Sequence, residues 1–183
     1  VLDQLTPAQR LAFVLHDLFG VPFEQIAPIV ERSPAATRQL ASRARRLVRG
    51  GGSGSADTVR QREVVDAFLA AARDGDFEAL LRLLDPDIVL RADRVAVHAA
   101  RNVDGAPLFA PEVHGVAAVA KVFSGRAAGA HAALIDGEIG AAWAPRGVPR
   151  SAFVMTIVGD KITAIDIVVE RDALAELDVQ ILT

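Results

Sequence analysis

Residues 33–49 read S-P-A-A-T-R-Q-L-A-S-R-A-R-R-L-V-R. On a helix at about 100° per residue, Thr37, Leu40, Ala41, Ala44, Leu47 and Val48 share one small or apolar arc. Arg38, Gln39, Ser42, Arg43, Arg45, Arg46 and Arg49 occupy the other. The run from Arg38 to Arg49 holds five arginines, and no acid occurs between Glu31 and Asp57. A merely solvated helix mixes acids with bases and gains i,i+4 pairs. This one repels itself unless something anionic lies against it, and a phosphate backbone is the natural candidate.

The residues before it complete a helix-turn-helix. Thr6-Pro7 is a helix start, with threonine as cap and proline in the first turn. Leu11, Val14, Leu15 and Leu18 then recur at helical spacing as far as Gly20. Pro22 to Val30 is a second, short helix with Phe23, Ile26, Ala27 and Val30 inward. Glu31-Arg32-Ser33 is a turn, and Ser33-Pro34 repeats the cap-then-proline start. That order places the last helix to enter a major groove. The same pattern also suits a generic three-helix bundle with an arginine-rich face. His16, beside Asp17 on the helix rim, reads as a hydrogen-bonded surface histidine rather than a ligand.

The whole chain has 183 residues, 51% of them apolar, and a net charge of −3. The charge is uneven: residues 1–50 carry +3 and residues 51–183 carry −6. A basic head on an acidic body suggests two modules with different partners. There is no cysteine, which excludes disulfides and thiolate metal sites. No signal peptide or membrane-length apolar run occurs, so a cytoplasmic protein with no membrane partner is expected. The three modules read as 1–49, an all-α helix-turn-helix domain; 50–56, a flexible Gly/Ser linker of which G-G-G-S-G-S spans roughly 13 Å; and 57–183, an α+β domain.

In that α+β domain Asp57 is expected to cap a helix reaching Asp74, with Val65, Phe68, Leu69 and Ala72 inward. A helix over 77–84 and a strand over 88–92 follow, and 95–98 is expected to extend or pair with that strand. Residues 99–113, with Asn102 and Gly105, read as loop, and 115–125 as a helix. Strands are expected within 131–144, turning at Asp136-Gly137, then over 150–158 and 161–169 with Gly159-Asp160 as the hairpin. A short helix over 171–177 ends the pattern. Helices against one face of a curved antiparallel sheet is the α+β class this order implies.

Two resemblances attach to these stretches. L-T-P-A-Q-R-L-A-F-V-L-H-D-L-F-G, F-E-Q-I-A-P-I-V and S-P-A-A-T-R-Q-L-A-S-R-A-R-R resemble region 4 of extracytoplasmic-function sigma factors. The resemblance implies recognition of the promoter −35 element and docking on the RNA polymerase β-flap. It implies that Arg38, Gln39, Ser42 and Arg43 face bases or adjacent phosphates, that Arg45, Arg46 and Arg49 clamp backbone, and that the helix start at Ser33 accepts a phosphate. Arginine to guanine and glutamine to adenine are the chemically natural pairs. V-V-D-A-F-L-A-A-A-R-D-G-D-F-E-A-L-L-R-L-L-D-P-D-I-V-L, with H-G-V-A-A-V-A further on, resembles SnoaL-like domains of the nuclear-transport-factor-like superfamily, which implies a cone with a pocket.

The two in succession resemble sigma factors that carry a fused SnoaL-like extension, thought there to regulate the sigma core in cis. Two motifs depart from that group: its D-G-G-G-K-like loop is here Asp93-Arg94-Val95-Ala96, and its N-P-D-K-L-like segment is Glu170-Arg171-Asp172-Ala173-Leu174. The resemblance also implies a region 2 ahead of region 4, contacted by the extension; the chain is therefore expected to be a C-terminal fragment lacking region 2. Alternatives remain a SnoaL-like cyclase or isomerase, or a small-ligand sensor, on a DNA-binding head. Ketosteroid isomerase, a related fold, uses a carboxylate base with a tyrosine and a protonated aspartic acid, and this chain has no tyrosine. Asp85, Asp87 and Asp93 read as solvated carboxylates at turns, and His98, His114 and His131 as too scattered for a metal. No enzyme activity, cofactor or metal is expected.

Overall fold

Thr6 forms a capping box with Gln9: its side chain accepts the Gln9 N–H, and the Gln9 side chain accepts the Thr6 N–H. This begins α1 (Pro7–Phe13) in the computed structural model, which describes residues 5–48, 55–99 and 107–182. The chain divides into two units, Val1–Ser53 with Arg171–Glu176, and Gly54–Glu170 with Leu177–Thr183. Residues 49–54, most of the expected linker, lie outside the described residues, and Ser55 and Ala56 already belong to a helix.

In the first unit α1 runs on as a π-helical turn, Val14–Leu18, instead of continuing as α-helix to Gly20. The wider turn changes which side chains beyond it face inward: Leu18, read as part of the inward face, and Phe19 stand 66% and 73% exposed, while Ala12 ahead of it is fully buried. The second helix, α2 (Phe23–Ile26), is shorter than expected, its last turns relaxing into a bend over 27–32. The third, α3 (Pro34–Val48), covers the arginine-rich stretch. Ala12, Phe23, Ile26, Leu40 and Ala41 form the core of this helical group. His16 Nδ1 donates to the Val21 carbonyl at 3.0 Å while its ring stacks on Phe23, a structural role.

The second unit is a seven-stranded sheet with helices α4 (Ser55–Asp74), α5 (Phe77–Leu83), α6 (Arg94–Ala99) and α7 (Val116–Phe123). Its strands are β1 (Leu84–Ala92), β2 (Glu112–His114), β3 (Ala130–Ile135), β4 (Glu138–Trp143), β5 (Ser151–Val158), β6 (Lys161–Val168) and β7 (Val179–Ile181). They lie in the order β2-β1-β6-β5-β4-β3-β7. The sheet is mixed rather than purely antiparallel. β1 and β6 run parallel, which a long crossover permits and a hairpin does not.

Other differences are local. Residues 94–99 are helix, not strand, because Asp93 caps them, accepting the Ala96 N–H at 2.7 Å. Asp57 lies inside the first turn of α4 instead of capping it, and Asp76 caps α5. β7 was not expected; it adds to the far edge beside β3. The two hairpin turns stand where expected, and Asp136 and Gly137 have φ of 52° and 82°, the pair of left-handed residues that a tight two-residue hairpin requires. Residues 100–106, with Asn102 and Gly105, lie outside the described residues. Val65, Phe68, Leu69 and Ala72 of α4 face inward as read, and Phe68 meets Phe123 of α7 edge-on, with ring centres 5.1 Å apart. Among the described residues no helix is long and apolar enough to cross a membrane.

Candidate nucleic-acid interface

Ser33 begins α3 with its side chain: Oγ accepts the Ala36 N–H at 3.2 Å, and Thr37 Oγ1 donates to the Ser33 carbonyl at 2.8 Å. The Ser33 hydroxyl therefore serves the helix start; Pro34 has no N–H and the Thr37 N–H donates to the Ser33 carbonyl, so Ala35 alone of the first turn keeps an N–H outside these bonds. Ala35, Ala36, Thr37, Leu40, Ala41 and Ala44 form the buried stripe. Leu47, assigned to the same arc, is 39% exposed. Gln39, assigned to the polar arc, is only 6% exposed.

Arg38, Ser42 and Arg45 follow one another at i, i+4 and i+7, so they share a face, and all three are half-buried. The Arg38 guanidinium lies 5.5 Å from the centre of the Phe23 ring, a cation–π arrangement that holds its base against the helical core. Arg45 Nε is 2.6 Å from Asp17 Oδ1. Arg43 donates to the Glu176 carbonyl within the first unit. Arg46 lies on the same helix, and Arg49 is outside the described residues.

The sequence reading missed two acidic partners. Asp17 takes Arg45, and Glu176, which follows α8 (Arg171–Ala175), takes Arg32 at 2.8 Å through its carboxylate. A like-charged helix needs anions against it; the Asp17 carboxylate supplies one to α3 itself, and Glu176 supplies one to Arg32 in the turn that precedes it. Asp17 was visible as the sole acid of the first helical stretch. Glu176 carried no local signal, because its partners are more than a hundred residues away.

The acids and histidines of the second unit have mainly structural positions. Asp93 is not the solvated carboxylate that its turn suggested: it is 7% exposed, and Oδ2 accepts the N–H groups of Val169 and Glu170 at 2.6 and 2.8 Å. It ties the start of α6 to the end of β6. Asp85 accepts the Asp87 N–H at 2.9 Å in an Asx turn. His98 Nδ1 donates to the Arg94 carbonyl, and His114 Nε2 lies 2.6 Å from Glu112 at the exposed edge. His131 is exposed on β3. Among the described residues no group of three potential metal ligands comes together.

Residues 1–48 match the family described as Sigma-70, region 4. The ECF RNA polymerase sigma factor SigJ of Mycobacterium tuberculosis is 39% identical over 149 residues, which is 77% of this chain and 46% of that protein. The probable ECF RNA polymerase sigma factor SigI of the same species is 39% identical over 94 residues, 51% of this chain and 32% of that one. The chain thus spans less than half the length of these curated relatives. The crystal structure of the M. tuberculosis extracytoplasmic function sigma factor SigJ superposes with a TM-score of 0.48 and 32% identity, over 95% of this chain and 62% of that chain.

Proposed function

We propose that this chain, whose residues 1–48 match sigma-70 region 4 and which is similar to ECF RNA polymerase sigma factors, acts in transcription initiation, its head engaging promoter −35 DNA. The observation that carries this reading is the basic helix α3, presented by a helix-turn-helix and with no acid of its own. In this reading Arg38 and Ser42, on one face of α3, meet base edges, and Arg43 joins them when it exchanges the Glu176 carbonyl for DNA. Gln39 reaches a base only if the face that buries it opens. Arg45, Arg46 and Arg49 hold phosphates, and the helix start at Ser33 receives another.

RNA polymerase is the protein partner in this reading, through its β-flap. Leu18 and Phe19 support it, two large apolar side chains left open to solvent at the end of the first helical segment. The SnoaL-like body regulates sigma activity in cis, through region 2, and acts as a non-enzymatic module in the cytoplasm.

The test is binding of the full chain to a −35 duplex and to a scrambled duplex across a salt series. The expected result is a salt slope showing several phosphates neutralised, with preference for the −35 sequence. Arg38→Ala and Arg43→Ala should each cost about 1–3 kcal/mol on the −35 duplex and less on the scrambled one. Equal losses on both duplexes would remove the base-reading role and leave only phosphate contacts.

A further inference from the structure

Beneath α4 and α7 the second unit holds a pocket of about 270 Å³, open to solvent on the side of Trp143 and Arg150. Its walls are aromatic and small by turns: Phe68, Phe109, Phe123 and Phe153 surround it, and alanines at 96, 99, 127, 128, 130 and 141 leave the space. A large residue at those alanine positions would fill the volume, so the void follows from the sequence rather than from loose packing. A dry apolar cavity of about 150 Å³ holds benzene, so this one at the same occupancy holds about eleven heavy atoms.

The charge on its walls has one sign. Arg126 and Arg150 line the cavity, and no aspartate, glutamate, lysine or histidine does so among the described residues. Strand register brings the two arginines to one end of the sheet. Ala130 pairs with Trp143, and Trp143 pairs with Ser151. Arg126 lies in the loop leading into Ala130, and the Arg150 N–H donates to the Trp143 carbonyl at 2.9 Å. Among the described residues neither guanidinium has a hydrogen-bond or ion-pair partner. Ser151, buried between strand and cavity, adds a hydroxyl. Two unpaired guanidinium forks beside an apolar chamber match a molecule with an apolar body and a planar anionic end.

We propose that this cavity is a binding site for a small amphiphilic carboxylate of medium length, its chain among the phenylalanines and its carboxylate held by Arg126 and Arg150. The site lies within the second unit and does not rest on DNA recognition by the head. Its reporter is built in: Trp143 lines the cavity, is the chain's only tryptophan, and has no tyrosine to compete with its emission.

The test titrates the full chain with decanoate, decanol and decylamine, following Trp143 fluorescence. Decanoate should give a saturable change about tenfold or more tighter than decanol, the effect of one charge-assisted contact, with decylamine weakest. Arg126→Gln with Arg150→Gln should bring decanoate to the level of decanol and leave decanol unchanged. The site assignment is overturned if no probe gives saturation, if decanoate is no tighter than decanol, or if the double variant binds decanoate as the parent does. The comparison of head groups needs no variant, so it stands even if the double variant does not fold.

Discussion

Arg45 Nε stands 2.6 Å from Asp17 Oδ1, an ion pair between the arginine-rich helix and the π-helical end of the first. The two side chains keep 32% and 22% of their exposure, so the pair contributes at most about 1 kcal/mol to folding. In the proposed complex with DNA its effect is larger, because there Arg45 is assigned to a phosphate that the pair with Asp17 would deny it. Asp17→Asn is expected to lower stability by less than about 1 kcal/mol and to tighten duplex binding. The slope of log K against log salt should steepen by about 0.9, the effect of one further neutralised phosphate. Fluorescence anisotropy across a salt series measures this; an unchanged slope would mean that Arg45 reaches no phosphate even when released.

Asp93 offers a second test, on the body. One carboxylate accepts N–H groups from Ala96, Val169 and Glu170, and it is buried, so water cannot replace it freely. Asp93→Ala leaves these donors unsatisfied and is expected to cost about 3 kcal/mol. Asp93→Asn keeps one oxygen acceptor and should cost less. Amide hydrogen exchange at Val169 and Glu170 is the direct readout, and it should accelerate in the alanine variant before the strands β4 and β5 are affected.

Asp93 also marks where sequence reading stops. A carboxylate after a strand reads as solvated, since nothing local shows that residues 169 and 170 return to it. The same holds for the parallel pairing of β1 with β6, for Glu176 beside Arg32, and for the burial of Gln39. All are non-local and leave no period in the sequence. Val95-Ala96-Val97 has strand-like composition, yet the cap at Asp93 makes it helix. What was legible rests on short-range chemistry: Thr6 with Pro7, Ser33 with Pro34, the Asp136-Gly137 turn, and the inward face of α4. The basic helix was legible for the same reason, as a charge pattern within one element. The cavity was implied only by the resemblance, because the space its alanines leave depends on which strands meet.

Gly140 lies in β4 where the sheet permits nothing larger. A Cβ there would stand 2.6 Å from the Phe153 carbonyl oxygen and 2.9 Å from Ile135 Cδ1. The isoleucine can rotate, but the carbonyl belongs to the neighbouring strand. Gly140→Ala is therefore expected to destabilise the body by about 1–3 kcal/mol through forced strand displacement. Thermal unfolding monitored at Trp143, three residues along the same strand, should show the loss; a midpoint equal to that of the parent would show that the strands separate at no cost.

The turn before α3 offers a change in the opposite direction. Glu31 has φ of 54°, a left-handed conformation that a side chain disfavours, and it is held there as the Arg32 N–H donates to the Ala27 carbonyl at 3.0 Å. Its side chain is exposed. Glycine removes the steric cost but adds freedom to the unfolded chain, so Glu31→Gly should stabilise the head by about 0.5–1 kcal/mol. Glu31→Ala makes the same charge change without the conformational relief and should bring no such gain. Comparing the two separates backbone from electrostatics. Both variants remove one acid next to the basic helix and should strengthen DNA binding equally, whereas only glycine should raise the unfolding midpoint. If alanine stabilises as much as glycine, the gain comes from charge, and the left-handed turn at Glu31 is not under strain.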